Sequence, residues 1–502
     1  MEIRLRYSTI INYASLLFRL FVSVGFVVII ARRLKVEEFG LWGIIFSLTT
    51  MLMAFPVFWN KWVPRFYVRG FREAIGTSFI LTLIFSIVAS LLYIALSYAE
   101  FLILGWGFEF MLLGIPLLVL RIFERSLMAI CNVVRPEVMG YKGFVYDSLR
   151  LVFAYLFLVV FRFGLVGALF SVVFALLVSD LYVFFVLWRA GVVNFSFSWG
   201  LVVQWLKGVH VPLVGFVRNF LSGGLRAIVS WVSGSEVTIA FLNVGFASEA
   251  PLLRISQYAF PALYARALRR PRVGDLLESL RLFLLFSGFM VAGFTVLSRT
   301  IASLYNPAYA EVYLVIPVIT VYGVLAGILN VYGTFISGAS RVDAEGIRSW
   351  REVLFSPLFK VPFMRLIGLI FSYGLIVPLV LLVRGDHVLE ALVSALALAL
   401  GVAIIFPYFY KEVSKMGSPV FPWREFVQIS VASLVSGVYY VLSGAWRITV
   451  ISFWRDAPLL GLHIVAAALI YFGVLYALSR WFRGLVRAGL KKVEIVTHRT
   501  SL

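Results

Sequence analysis

The sequence predicts an all-α polytopic membrane protein, and three observations carry that prediction. Apolar residues make up 62% of the 502 positions and charged residues 14%, which leaves too little polar surface to coat a water-soluble globule. The apolar residues fall in runs of spanning length, since a bilayer core of about 30 Å calls for about 20 apolar residues per helix. The connectors between the runs are short, and they are rich in arginine on alternate sides, as cytoplasmic loops are.

Taken in order, the first run, Ser8 to Ala31, follows the basic start Met1 to Arg6. No small-residue cleavage site comes after it, so it reads as a helix and not as a signal peptide. Phe39 to Trp59 is the second, beyond a turn holding Arg32, Arg33, Lys35, Glu37 and Glu38. Lys61, Arg65, Arg69 and Arg72 separate it from the third, Gly76 to Tyr98, which almost abuts the fourth, Phe101 to Ile130. Arg135 and Lys142 lead into Gly143 to Phe161, and Arg162 into Gly164 to Trp188. A long connector from Arg189 to His210 precedes the seventh and eighth, Val211 to Trp231 and Val237 to Tyr264. Arg266, Arg269, Arg270 and Arg272 introduce Leu280 to Leu304, which is followed by Val312 to Phe335. Another long connector, Ser340 to Lys360, precedes Val361 to Val383 and Val388 to Tyr410. Phe426 to Val441 and Leu459 to Leu478 complete fourteen expected spans. The long connectors, together with Arg266 to Ser279 and the tail from Arg480, carry tryptophans or charges suited to interfacial amphipathic helices.

The formal charge of +20 suggests nucleic acid only if the basic residues cluster in one polar domain, and they do not. Their alternation places both termini in the cytoplasm of a cell (plasma) membrane protein and makes the cytoplasmic face attractive to anionic lipids. One cysteine, Cys131, gives neither disulfides nor thiolate metal sites. No P-loop, HExxH or CxxC pattern is present, and His210, His387, His463 and His498 are isolated in or near connectors, so no enzymatic, metal or cofactor role is expected. Three glutamines and eight asparagines are few, as in thermophilic proteins. One internal repeat is suggested: Trp106 to Pro116 aligns without gaps on Pro307 to Pro317, mapping the fourth span onto the tenth, as a parallel repeat of two bundles requires.

Charged residues inside the spans are costly and mark function or helix locking. Arg19 lies eleven residues into the first span, roughly 16 Å deep, and Arg254 lies twelve residues before Arg266, roughly 18 Å deep. Arg121, Glu124 and Arg125 share one face of the fourth span through i, i+3, i+4 spacing. Asp147 and Arg150 repeat that spacing and read as an internal pair. Arg218 and Arg226, eight apart, extend one basic face of the seventh span. Asp180 is the acid with the least obvious partner and the candidate for proton or sodium coupling.

Three stretches resemble the polysaccharide and oligosaccharidyl-lipid flippases, the Wzx-type branch of the MOP superfamily related to lipid II flippases and MATE exporters. They are the first turn, Arg33-Leu-Lys-Val-Glu-Glu-Phe-Gly-Leu-Trp42; the turn Leu304-Tyr-Asn-Pro-Ala-Tyr-Ala-Glu-Val312, with Asn306 where glycine is usual; and Ser235 to Tyr264, ending Ala259-Phe-Pro-Ala-Leu-Tyr264. Together they cover roughly Met1 to Arg341. The resemblance implies two six-helix bundles around a central cavity, here residues 1–190 and 191–410, with two further helices and a basic tail in 411–502. It implies that a polyprenyl-(pyro)phosphate-linked oligosaccharide moves from the inner to the outer leaflet by alternating access, with glycan-assembly enzymes as partners. In the lipid II flippase relatives cavity arginines sit on the first and eighth helices, which implies phosphate binding by Arg19 and Arg254. Arg121, Arg125, Arg218 and Arg226 are the further substrate-binding candidates, and Asp180 and Glu124 the coupling-ion candidates. A MATE-type multidrug and cation antiporter and an integral-membrane glycan polymerase or ligase are the alternatives. The first would carry buried acids in its amino-terminal bundle, and the second a sizeable outer loop with acidic metal ligands.

Overall fold

A computed structural model describes residues 15, 18, 19, 22, 23 and 25–487 apart from 61, 69, 136, 208 and 341–353. Among the described residues every regular element is helical, and nine helices are long and apolar enough to cross a membrane. The chain is an all-α polytopic membrane protein, because in hydrocarbon a helix is the single-segment structure that satisfies its own backbone groups.

Each of the fourteen expected spans is helical over most of its described residues. The first is α1, helical at its described residues up to 33. The second is α2 (Val36–Leu52), which stops at a turn before Pro56 and continues as the short α3 (Val57–Asn60). After α4 (Val63–Val68), the third span is α5 (Glu73–Leu104), six residues longer than expected at its C-terminal end. The fourth is cut off from α5 by the left-handed glycines Gly105 and Gly107 and broken again at Leu113, giving α6 (Phe108–Leu112) and α7 (Gly114–Val134). Next come α8 (Glu137–Ala154), extended by one wider turn over Tyr155–Val160, and α9 (Gly164–Arg189). The connector after α9 folds into the amphipathic α10 (Trp199–Lys207). The seventh span is interrupted at Gly224, giving α11 (His210–Gly223) and α12 (Leu225–Ser233). The eighth is α13 (Glu236–Arg269), continuous through Pro251 and Pro261.

Beyond it lie α14 (Val273–Val296), α15 (Ser298–Tyr305), a 3-10 segment (Pro307–Leu314) and α16 (Val315–Ala339). The remaining spans are α17 (Pro357–Leu382), α18 (His387–Ser414), α19 (Trp423–Leu442) and α20 (Phe453–Leu478). The connector Arg266 to Ser279 holds no interfacial helix of its own, since α13 runs to Arg269 and α14 begins at Val273. Most of Ser340 to Lys360 lies outside the described residues. The two segments aligned as a repeat have the same local form. Each is a short helical stretch leading into a long helix with proline at its third residue, Pro116 in α7 and Pro317 in α16.

The chain divides into two compact units, one of Met1–Asn243 with Pro362–Gly401 and one of Val244–Val361 with Val402–Leu502. In the first, small residues bring helices together. A Cβ at Gly223 would stand 2.6 Å from the Met51 backbone nitrogen, and Ser47 Oγ donates to the Gly223 carbonyl at 2.7 Å, so α11 lies directly on α2. Trp59, Phe79, Leu127, Ile130 and Leu187 form an apolar core there, and Tyr373 OH ties α17 to the Leu221 carbonyl at 2.6 Å. In the second unit, Tyr471 OH donates to the Leu285 carbonyl at 2.6 Å and Ser433 Oγ to Gly288 at 2.9 Å. These bonds bind α14, α19 and α20 together.

Candidate functional site

The first unit buries a network of charged side chains between α1, α7, α8 and α9. Its centre on α8 is Asp147, a carboxylate 1% exposed that accepts from two arginines. Arg19 Nε donates at 2.8 Å, and Arg150, one turn along α8, reaches the other oxygen at 3.0 Å. Arg150 also donates to Ser23 Oγ at 3.2 Å and lies over the rings of Phe26 and Tyr146. Gly143 permits this docking, because a Cβ there would collide with Ser15 Oγ and stand 3.1 Å from an Arg19 nitrogen. Arg19 stays 39% exposed, and with Nε engaged its two terminal amino groups have no partner among the described residues. Asp147 thus holds the guanidinium while the fork best suited to a phosphate stays open.

The second part of the network is centred on Glu124 of α7. It accepts from Arg121 at 2.7 Å and pairs with Lys142 of α8. The same ammonium stands 2.9 Å from Asp180 of α9. Arg121 donates its other amino group to Tyr146 OH at 3.0 Å, so Tyr146 joins the two parts. Across both, Arg19, Arg121, Lys142 and Arg150 face Asp147, Glu124 and Asp180, an excess of one positive charge. Buried charges survive only when paired in this way, since an isolated one costs far more than its partner returns.

The expected site residues are therefore only partly brought together. Arg19, Arg121, Glu124 and Asp180 enter the network, whereas Arg125, one turn past Arg121, is exposed. Asp180 is not the partnerless acid expected, because Lys142 lies beside it. Lys142 itself was assigned to a connector. Helix α8 starts five residues before it, and its side chain is 4% exposed. Arg218 and Arg226 sit on separate helices, α11 and α12, rather than on one straight face. Arg226 Nε donates to Asn243 Oδ1 at 2.6 Å, and Arg218 is within electrostatic reach of Arg365 on α17. The Arg254 side chain lies outside the described residues. Sequence reasoning missed Arg365, eight residues into α17, whose depth alone was the signal available.

Among the described residues of this unit, two further carboxyls are fully buried. Glu390 of α18 accepts from the Gly385 backbone N–H at 2.9 Å and from Thr238 Oγ1, with His387 Nδ1 at 3.3 Å. Glu100 of α5 accepts from Ser230 Oγ at 3.0 Å.

The second unit offers a different surface. A cavity of about 750 Å³ runs between α14, α16 and α19, lined by Leu284, Val291, Val321, Leu325, Ile429 and Leu434, with a few serine and threonine hydroxyls as its polar side chains. Such a groove can hold hydrocarbon and offers almost nothing to a polar ligand.

No family model matches the chain, and no curated protein matches it. Solved structures do. The chain is similar to the lipid II flippase MurJ in an inward closed conformation, at 14% identity and a TM-score of 0.67 over 95% of this chain and 99% of that one. It is similar to a multidrug resistance MATE family transporter of the MOP superfamily in an inward-facing conformation, at 15% identity and a TM-score of 0.58 over 81% and 98%. It is also similar to a MOP superfamily transporter from Pyrococcus furiosus, at 13% identity and a TM-score of 0.53 over 82% and 96%. The fold is that of MOP-type transporters.

Proposed function

We propose that this transporter flips a polyprenyl-(pyro)phosphate-linked oligosaccharide from the inner to the outer leaflet of the cell membrane by alternating access. The observation that carries the reading is the open Arg19 guanidinium, held at a buried carboxylate within a network of net positive charge. A phosphate that must leave water needs such preorganised donors, because charge-assisted arginine pairs replace the lost hydration. Arg121, Arg125, Arg218, Arg226 and Arg254 are proposed as further substrate contacts, and Asp180 and Glu124, which share Lys142, as the groups that respond to a coupling proton or sodium ion. The apolar groove of the second unit supports a lipid tail as part of the substrate. The flippase match also covers more of the chain than the MATE matches do.

Reconstituted liposomes test this directly. Protein in the bilayer should carry a fluorescent polyprenyl-pyrophosphate-linked saccharide to the opposite leaflet, where a membrane-impermeant quencher or reductant reads it. No flipping by folded protein, together with export of organic cations, would replace this reading with a multidrug exporter. One observation favours that second reading: Glu100 is an acid buried in the first unit with no basic partner among the described residues.

A further inference from the structure

Glu100 lies on the last turn but one of α5, and its side chain is wholly buried. One carboxyl oxygen accepts from Ser230 Oγ of α12 at 3.0 Å, and the other has no hydrogen-bond partner. Neutral buried polar groups gather around it. Ser97 and Tyr93 stand one and two turns back on the same face of α5, within reach of one another, and the Trp231 indole N–H, next to Ser230, stands beside the carboxyl. What the carboxyl lacks is a cation.

The charged groups on the neighbouring elements do not supply it. Helix α2 carries Glu37 and Glu38 in its first turn, and α6 carries the exposed Glu109. On α7 the first charge is Arg121, already paired with Glu124. On α12 the charge is Arg226, whose Nε is given to Asn243. Glu236, at the start of α13, accepts from Trp106 Nε1 at 3.1 Å. Helices α4 and α10 pack at the opposite, Glu73 end of α5 through Val63, Leu201 and Trp205.

An ionised carboxylate with no cation beside it is far more costly to bury than a neutral acid, and it takes up a proton instead. We propose that Glu100 is a proton-carrying carboxyl: it holds a proton in this conformation, and it releases that proton to water when α12 and Ser230 withdraw. The O–H bond breaks, the electron pair stays on the carboxylate, and the proton leaves to solvent. This rests on the transporter reading and adds to it a proton as coupling ion at a position separate from Asp180. The break at Gly224, between α11 and α12, is where α12 can pivot.

The test is infrared spectroscopy of the full chain in lipid nanodiscs at neutral pH, which needs no transport substrate. Wild type should show the C=O stretch of a protonated acid that Glu100→Gln removes and Asp180→Asn leaves in place. Ser230→Ala, a small change at a single hydrogen bond, should shift that band to higher frequency. Both variants with a spectrum identical to wild type would overturn the assignment, whether or not the protein flips a glycolipid. In liposomes, Glu100→Gln should in addition lose the stimulation that wild type gains from an imposed proton gradient. If wild type fails to flip while the band behaves as expected, the substrate reading fails and the proton site stands.

Discussion

At the scale of single residues, Lys142 is the side chain on which the buried network depends. It faces Glu124 and Asp180 together, so removing it leaves two carboxylates competing for Arg121. Lys142→Ala should therefore cost about 3 to 5 kcal/mol, the penalty for uncovering a buried charge, read as a lowered thermal unfolding midpoint. Restoring neutrality with Lys142→Ala/Asp180→Asn should recover much of the loss, and equal midpoints for the single and double variants would refute the shared pairing. The sequence showed Arg19, Arg121, Glu124 and Asp180 as deep charges because depth can be counted in helical residues. It hid Lys142, since a lysine at the edge of an apolar run reads as a snorkelling connector residue until its two partners, 18 and 38 positions away, are seen. Glu100 was hidden for a related reason. It falls between two runs that nearly touch, and it reads as a turn residue although α5 carries it inward.

Among the elements, the helix pair α2 and α11 should be sensitive to small additions. A methyl at Gly223 meets backbone at Met51, which cannot rotate away as a side chain would. Gly223→Ala should thus push α11 off α2 and destabilise the fold by about 1 to 3 kcal/mol, whereas Gly461→Ala on α20, with open space around it, should be neutral. Equal effects in a thermal unfolding assay would contradict this account of the packing. The existence and order of the helices were legible throughout, because a membrane makes apolar length a nearly sufficient signal. Their interruptions were less so. The break at Gly224 follows a glycine pair that the sequence displays, but glycines are common in membrane helices that run straight, and α13 does run through two prolines.

For the whole molecule, the alternation of basic connectors predicts an orientation that labelling can check. Cys131 is buried and free, so single cysteines can be introduced with little background. Cysteines at Arg270 and Arg487 should react with a membrane-impermeant thiol reagent only in opened cells, and one at Asp386 should react in intact cells. The opposite pattern would invert the topology and with it the direction of transport. Fold class was readable from composition alone, while substrate class was not, since an excess of one positive charge emerges only when distant residues are brought together. The most direct measurement is therefore the affinity of the purified protein for a polyprenyl pyrophosphate lipid. If Arg19 is the open phosphate ligand, Arg19→Ala should bind roughly tenfold to a hundredfold more weakly, the equivalent of about 1.5 to 3 kcal/mol for a charge-assisted contact. Arg19→Lys should fall between, because it keeps the charge and loses the fork. Wild-type affinity in folded Arg19→Ala would contradict the account.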